Sequence, residues 1–355
     1  MLTLAEVLRR HWPDYQRRFG GNILPSHRRA VQCILNCRTP AMGAQIYRCV
    51  DCGKDHYVYH SCQHRACPQC GHADATAWID RQKLKLLPVP YYLVTFTVPE
   101  ALRSWLRSHQ KLGYGLLLRE SAGALQNVAA RPRHLGAELG CLSILHTWGR
   151  QLQYHPHVHC LVPAGGLRRD GLRWLQPKSP DYFLPQAALA ASFRLRLRTV
   201  LSQEHPAEYA SLPVKIWKQA WVVDVQAAGS GEPALKYLSA YVYRTALSSQ
   251  RLVSDHAGQI TFQYKDSQDQ QRRTLTLPAA EFIRRFLQHV LPRGLQRVRS
   301  YGWLAAAATA KWQRILSLLD WTPPILTPIV AEPLPVCRHC GAGLRWVATL
   351  ERAPP

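Results

Sequence analysis

The spacing of apolar residues predicts helices at both ends of the first region of the chain. Residues 4–36 carry apolar positions at helical spacing with basic residues between them. The same pattern returns over residues 73–87 and ends at Pro88 and Pro90. Residues 37–73 show no clear period and hold many Cys and His residues. The first region is therefore predicted to enclose a Cys/His-rich segment between helices.

From residue 91 onward the pattern predicts strands that alternate with helices. Runs of β-branched and aromatic residues predict strands over residues 91–98, 142–148, 157–162 and 221–226. Helical patterns lie between and after them, over residues 100–128, 187–201 and 232–246. The order strand, helix, strand, strand, helix, strand, helix predicts an α+β sheet of split βαβ type.

The last hundred residues are basic and then rich in proline. Residues 251–320 are predicted to form a β-hairpin followed by helices, and residues 321–355 to be linker-like apart from one Cys pair. We expect four parts in all. They are a helical N-terminal domain (1–90), an α+β domain (91–250), a basic extension (251–325) and a proline-rich tail (326–355).

The charge of the chain indicates a polyanionic partner. The 355 residues include 45 Lys and Arg against 22 Asp and Glu, a net charge of +23. Such an excess favours nucleic acid as the partner. The sequence has no apolar run long enough to span a membrane and no signal-peptide pattern at its start. We therefore expect a cytoplasmic protein with no membrane partner.

The cysteines are concentrated in a way that predicts metal binding. Seven of the 11 lie between Cys33 and Cys70, which in a reducing compartment indicates metal rather than disulfides. Cys49 and Cys52 form one CxxC pair, and Cys67 and Cys70 form another. Two such pairs are predicted to hold one Zn²⁺ in a tetrahedral shell of four thiolates. Free core cysteines are the alternative interpretation.

Other ligand types in the same segment allow a second zinc site. Cys37 and Cys62 with the neighbouring His60 and His64 are the candidate ligands. Ordinary buried or solvated side chains are an equally good interpretation of these residues. In the tail, Cys337 and Cys340 form a lone CxxC pair that lacks two ligands, so an incomplete or unused site is at least as good an interpretation.

Two histidines on one predicted strand are candidate metal ligands. His157 and His159 are two positions apart, so their side chains lie on the same face of the strand, and Val158 faces the opposite layer. Two imidazoles on one face can bind a divalent ion. His146 on the neighbouring strand, or Gln151 or Gln153, could supply a third ligand. A surface position on an edge strand, and for His146 a place in the core, are the alternatives.

A later helix supplies candidate nucleophiles. Tyr237 and Tyr241 are four residues apart and therefore lie on one face of the predicted helix. A tyrosine oxygen is a weak nucleophile unless its target is polarised, which a metal held by two histidines would do. Lys236 and Arg244 could steer a phosphate backbone. Packing of the tyrosines against the sheet is the commoner role for such a pair.

Together these segments resemble one family of transposases. The chain resembles the rolling-circle transposases of the two-tyrosine HUH class, and closely the IS-ninety-one-type insertion-sequence family. The resemblance covers nearly the whole chain, and its segments are specific together although none is specific alone. They are Cys49–Gly53, His60–Cys70, Phe96–Pro99, Leu145–Gly149, His155–His159, Lys236–Tyr241 and Phe282–Gly302.

The resemblance implies a fold and a mechanism. The fold would be α+β, with an N-terminal zinc-binding module before a HUH nuclease domain of split βαβ (ferredoxin-like or RRM-like) type with a mostly antiparallel sheet. His157 and His159 would be the HUH pair that binds Mg²⁺ or Mn²⁺. Tyr237 and Tyr241 would form 5′-phosphotyrosine bonds with single-stranded DNA at transposon ends and target. The oligomeric state is not implied.

Two other functions are compatible with the same residues. One is a zinc-dependent DNA-binding protein or repressor without catalysis, whose histidine strand is vestigial. The other is an RNA-processing or other metal enzyme that acts on nucleotides through the two histidines. Formation of a covalent protein–DNA adduct would distinguish the transposase function from both of these alternatives.

Overall fold

The chain divides into two compact units in a computed structural model of the protein. The structure describes residues 2–179, 183–243, 246–266, 269–325 and 336–352. The first unit, here called the cysteine unit, comprises residues 1–74, 243–290 and 326–355. The second, here called the sheet unit, comprises residues 75–242 and 291–325. The predicted basic extension over 251–325 is therefore shared between the two units instead of standing alone.

The described helices and strands follow one another along the whole chain. The helices are α1 (Leu4–Phe19), α2 (Pro25–Asn36), α3 (His72–Lys83), α4 (Glu100–Ser108), α5 (Gln110–Ala129), α6 (Gln186–Glu204), α7 (Pro206–Ala210), α8 (Lys215–Lys218), α9 (Glu232–Tyr243), α10 (Ala279–Leu287) and α11 (Thr309–Leu318). The strands are β1 (Ala44–Cys49), β2 (Asp55–Tyr59), β3 (Tyr91–Thr97), β4 (Ala137–Glu138), β5 (Gly140–Trp148), β6 (Tyr154–Pro163), β7 (Gly166–Arg168), β8 (Trp174–Leu175), β9 (Val222–Ala227), β10 (Leu252–His256), β11 (Gln259–Lys265), β12 (Arg272–Pro278), β13 (Val298–Gly302) and β14 (Leu344–Leu350).

The sheet unit is built on a five-stranded antiparallel sheet. Its strands lie in the order β13-β5-β6-β3-β9, and every neighbouring pair is antiparallel. The strands β3, β5, β6 and β9 have the order of a split βαβ fold, and β13 adds a strand at the β5 edge. The predicted α+β class with a mostly antiparallel sheet is confirmed.

One face of this sheet is buried under helices. Phe96 of β3 meets Phe193 of α6 at 5.1 Å between ring centroids. Val158 of β6 lies opposite Phe96 in the register and is fully buried in the same core. Because side chains alternate along a strand, residues 157 and 159 project from the opposite face, so the packing of this core determines which face carries the histidines.

The cysteine unit contains two three-stranded sheets and several helices. One sheet has the order β14-β1-β2 and the other β10-β11-β12. Helix α1 begins at a capping box in which Thr3 and Glu6 each bond to the other's backbone amide. Asp255 of β10 accepts hydrogen bonds from Arg10 and His11 of α1 at 3.1 and 2.8 Å. These contacts hold the 252–287 segment to the N-terminal helix.

Two elements differ from the prediction. The segment after residue 251 is a three-stranded meander and not a hairpin. The tail, predicted to be linker-like, contains β14, which pairs with β1 from Ala44↔Leu350 to Cys49↔Leu344. This pairing joins segments about 300 positions apart, which periodicity in a single sequence does not show. Among the described residues, no helix has the length and apolarity needed to cross a bilayer.

Candidate metal centres and catalytic site

A first group of four cysteines lies at the open end of the β1–β2 hairpin. Cys37 follows α2, and the other three follow β2. The Sγ atom of Cys70 lies 3.5 Å from that of Cys37 and 3.7 Å from that of Cys62. Cys67 completes the group, and all four sulfurs lie within 4.8 Å of one another. We call this group the hairpin-base cluster.

A second group of four cysteines lies at the turn of the same hairpin. Cys49 is the last residue of β1 and Cys52 lies in the turn, and the tail supplies Cys337 and Cys340. The Sγ atoms of Cys49 and Cys340 are 3.4 Å apart, and those of Cys52 and Cys337 are 3.7 Å apart. All four sulfurs again lie within 4.8 Å of one another. We call this group the hairpin-turn cluster.

The predicted grouping of Cys49 and Cys52 with Cys67 and Cys70 is therefore wrong, although each pair does belong to a four-cysteine cluster. The strand β2 is five residues long, and at about 3.3 Å per residue it separates the turn from the base by about 16 Å. Two CxxC pairs at opposite ends of that strand cannot share one ion. Each pair instead meets two cysteines that lie at its own end of the hairpin.

The predicted second zinc site contained Cys37 and Cys62 with His60 and His64. The two cysteines do lie in one cluster, but the two histidines are not part of it. Cys37 and Cys62 do meet, but with Cys67 and Cys70 as their partners. His60 lies 3.4 Å from the Gln45 amide nitrogen, and His64 Nδ1 accepts from the Ala66 amide. The CxxC pair Cys337/Cys340 of the tail, interpreted from sequence as an incomplete site, meets Cys49 and Cys52 from the turn of the hairpin.

The chemistry of both clusters fits a zinc ion. A tetrahedral shell with Zn–S bonds of about 2.3 Å places its sulfurs about 3.8 Å apart, close to the spacing in each cluster. The backbone amide of Cys52 lowers the pKa of Cys49 to about 6. Hydrogen bonds from Cys62 and Cys67 lower the pKa of Cys70. At Cys49 and Cys70 these effects favour the thiolate, which is the form that binds metal. Contacts with neighbouring thiols and burial instead raise the pKa of Cys62 and of Cys340 to about 12.

The histidines converge on the face of the sheet opposite the helical core. His157 Nε2 lies 3.2 Å from His159 Nε2 and 2.8 Å from His146 Nδ1. His146 on β5 is the register partner of His157 on β6. All three are nearly buried, with 5%, 8% and 6% of the surface of residues 146, 157 and 159 exposed. The structure thus brings the candidate third ligand to the predicted pair.

Bonds to the outer ring nitrogens orient two of these imidazoles. His157 Nδ1 lies 2.7 Å from the His155 carbonyl oxygen; since that oxygen only accepts, Nδ1 carries the proton and Nε2 presents its lone pair. His159 Nδ1 lies 3.0 Å from Thr95 Oγ1 on β3. Such outer contacts are what orient histidine ligands of metals.

Burial keeps these rings neutral. It lowers the pKa of His157 well below its usual value, and it lowers the pKa of His159 to about 4. Neutral imidazole is the form that binds metal. In an octahedral shell with metal–ligand distances of about 2.1 Å, neighbouring ligand atoms lie about 3 Å apart, which is close to the nitrogen separations of 2.8 and 3.2 Å at His157. The three residues therefore fit a divalent ion.

The first candidate nucleophile lies beside this cluster. The ring centroid of Tyr237 on α9 is 6.1 Å from that of His159, and the two rings are nearly perpendicular. Tyr237 is 48% exposed, so its place is not among apolar groups in the core. The side chain of Tyr241 and all of Arg244 lie outside the described residues. Lys236 is exposed and pairs with Glu232 at 3.2 Å.

Sequence reasoning missed Thr95 and the grouping of the cysteines. Thr95 and His159 are register partners on adjacent strands, a relation that needs the strand order. For the cysteines, one signal was present: Cys37 precedes β1 and Cys62 follows β2, so a hairpin brings them to the same end. Gln153, considered as a ligand, instead accepts a bond from the Gln151 amide at 3.0 Å.

Two comparisons with protein families match most of this architecture. Residues 140–311 match the family described as "Putative transposase". Residues 7–98 match the family described as "Transposase zinc-binding domain". The first match contains β5, β6 and α9, and the second contains the hairpin-base cluster. An antiparallel sheet domain preceded by a zinc-binding domain thus defines the class: a transposase, which cleaves and rejoins DNA.

Two relatives extend the comparison. The chain is 36% identical over 322 residues to "Putative transposase y4qJ" of Sinorhizobium fredii, covering 85% of this chain and 80% of that protein. It is 28% identical over 350 residues to the "Transposase for insertion sequence element IS801" of Pseudomonas savastanoi pv. phaseolicola, covering 90% and 83%. No solved structure matches the chain. The protein belongs to the IS-ninety-one-type family of insertion-sequence transposases.

Proposed function

We propose that this transposase cleaves and rejoins single-stranded DNA through 5′-phosphotyrosine intermediates, the chemistry of rolling-circle transposition. The observation that supports this most is the placement of the exposed Tyr237 ring 6.1 Å from that of His159, next to three convergent imidazoles. A nucleophile beside a site suited to a divalent cation is the arrangement that phosphoryl transfer needs.

In the proposed reaction the Tyr237 hydroxyl oxygen attacks the phosphorus of a DNA phosphodiester. A bond forms between that oxygen and phosphorus, the bond from phosphorus to the 3′ oxygen breaks, and the phenolic proton is released as the 3′ oxygen takes one up. The 5′ phosphate stays on tyrosine and a free 3′-OH results. Because the number of phosphoester bonds is unchanged, the 3′-OH can reverse the attack without ATP.

The histidines would hold the ion of this site. His146, His157 and His159 would bind Mg²⁺ or Mn²⁺, which when bound polarises the phosphate and offsets the charge that develops on it. Three protein ligands leave positions for DNA oxygens and water.

The second tyrosine and the basic residues have supporting roles in this proposal. Tyr241, one helical turn after Tyr237, would hold the second strand, so that two DNA ends can be carried in sequence. Lys236 and Arg244 would contact the phosphate backbone. The hairpin-base cluster would hold a structural Zn²⁺ within the zinc-binding domain.

A covalent-adduct assay tests the proposal. The purified chain is incubated with 5′- or 3′-labelled single-stranded oligonucleotides from the element ends, with Mn²⁺, Mg²⁺ or EDTA, and resolved by denaturing electrophoresis. We expect a metal-dependent adduct that retains the DNA on the 3′ side of the cut. It should disappear in Tyr237→Phe, which lacks only the hydroxyl.

Tyr209→Phe is the matched control, because Tyr209 lies on α7 and stacks on Trp217 at 5.8 Å. It should form the adduct normally. Retained DNA binding without any adduct under either metal would contradict the proposal and favour a DNA-binding protein without catalysis. An adduct on RNA but not on DNA would favour a nucleotide-processing enzyme of another kind.

A further inference from the structure

Two of the four cysteines of the hairpin-turn cluster lie outside the region that the comparison with zinc-binding domains covers. That match ends at residue 98, whereas Cys337 and Cys340 are in the tail. We propose that Cys49, Cys52, Cys337 and Cys340 bind a second, structural Zn²⁺ that joins the last strand of the chain to the N-terminal hairpin. The proposal does not depend on the nuclease chemistry.

The two CxxC turns have the same backbone geometry. The amide of Gly53 donates to the Cys49 carbonyl at 3.2 Å, and the amide of Gly341 donates to the Cys337 carbonyl at 2.9 Å. Both glycines have left-handed backbones, with φ of 67° and 80°, which an L side chain would strain. The tail turn is therefore built like its partner and is not a degraded remnant.

Each turn also presents its first sulfur to backbone amides. The Cys52 amide lies 3.4 Å from Cys49 Sγ, and the His339 amide lies 3.4 Å from Cys337 Sγ. Hydrogen bonds from amides stabilise a thiolate. The two turns face each other across a cluster whose sulfurs are all within 4.8 Å, so each half supplies two of the four ligands of a tetrahedron.

Backbone pairing continues from this cluster along the whole of β1. The Val50 amide donates to the Gly343 carbonyl at 3.2 Å, and β14 then pairs with β1 as far as Leu350↔Ala44. Cys49 and Cys337 are each only 2% exposed and pack against Leu344. Four thiolates leave no open position, which is typical of a structural and not a catalytic zinc.

Zinc content of the full-length chain tests the proposal. Metal is counted by plasma mass spectrometry and by native mass spectrometry in reducing buffer. We expect Cys337→Ser/Cys340→Ser to contain one zinc fewer per chain than the wild type. Cys33→Ser is the matched control, because Cys33 lies in the same unit but in neither cluster, and it should keep the wild-type zinc content. Equal zinc in the double variant and the wild type would overturn the proposal.

A second measurement on the unaltered protein covers the case in which the double variant fails to fold. Cys52 and Cys340 are exposed, so as free thiols they would react at once with N-ethylmaleimide. We expect both to resist alkylation in the zinc-loaded chain and to become reactive together when a chelator removes the ion, as mapped by peptide mass. Immediate alkylation of the zinc-loaded chain, or Cys–Cys bonds in place of zinc, would contradict the assignment.

Discussion

The cysteine clusters and the histidine cluster both bring metal-ligand atoms close together, but they differ in the number of ligands. Each cysteine cluster offers four soft ligands at spacings of about one tetrahedral edge, so a bound ion has no free position. The histidine cluster offers three ligands, with an exposed tyrosine beside them, so a bound ion could still accept a DNA oxygen. A closed shell suits stability and an open one suits catalysis.

The two kinds of site also differ in the structural elements that carry their ligands. The cysteines lie mainly on turns and loops at the ends of a short hairpin, and small zinc-binding domains depend on the bound metal for their folding. The histidines lie on central strands whose other face is packed against helices. We therefore expect metal loss to unfold the cysteine unit locally and to leave the sheet unit folded.

The largest expected effect tests this difference directly. Cys62→Ser/Cys70→Ser removes two ligands of the hairpin-base cluster, and structural zinc contributes on the order of 10 kcal/mol to the folding of small domains. We expect loss of a zinc ion and of ordered structure in the cysteine unit, measured by hydrogen exchange. Cys33→Ser serves as the control. Unchanged amide protection around residues 37–70 would show that the cysteine unit does not depend on its metal more than the sheet unit does.

Changes to the histidines should have the opposite profile. His157→Ala and His159→Ala would each remove one proposed ligand of the divalent ion, and we expect the loss of electrostatic stabilisation worth several kcal/mol to lower adduct formation by about 10³-fold. DNA binding and the thermal transition should change little, as measured by fluorescence anisotropy and circular dichroism. If the fold were lost instead, the histidines would be structural, like the cysteines.

A smaller effect is expected from the hydroxyl that orients His159. Thr95→Val keeps the shape of the side chain but removes the 3.0 Å contact with His159 Nδ1. Loss of such an outer contact lowers metal affinity by about 10- to 100-fold, which a Mn²⁺ titration of adduct formation would show as a higher half-saturating concentration. Thr97→Val, on the same face of β3, is the control. Equal effects of the two substitutions would indicate general loosening of the sheet.

The smallest effect is expected at Lys236, the exposed cation beside the proposed nucleophile Tyr237. Lys236→Gln removes one positive charge that Glu232 already offsets in part. We expect about a two- to fivefold loss of oligonucleotide affinity and a salt dependence reduced by about one ion. Lys218→Gln on α8 provides a comparison at another exposed lysine. A loss of adduct without a loss of binding would give Lys236 a closer role in the reaction.

The histidine site could be predicted from sequence because it depends on local alternation. Two positions on one strand are enough to place His157 and His159 together, and the structure shows their Nε2 atoms 3.2 Å apart. The split βαβ order was likewise visible in the order of apolar patterns. The third histidine needed the pairing of β5 with β6, so the sequence offered it only as one of several candidates.

The grouping of the cysteines could not be predicted in the same way. CxxC spacing identifies each pair but does not say which two pairs share an ion. That choice depends on the length of the β1–β2 hairpin and on the pairing of β14 with β1, which links segments about 300 residues apart. Neither the length of a short exposed strand nor such a long-range pairing leaves a periodic signal in one sequence.

The alternation of side chains on β6 has a consequence for how this protein can change. A residue inserted into the strand between Tyr154 and His157, without a compensating bulge, would rotate every later side chain to the other layer. The imidazoles would then enter the apolar core and Val158 would occupy their place. An insertion of one codon within this strand would therefore abolish the histidine site although it changes none of the three histidines.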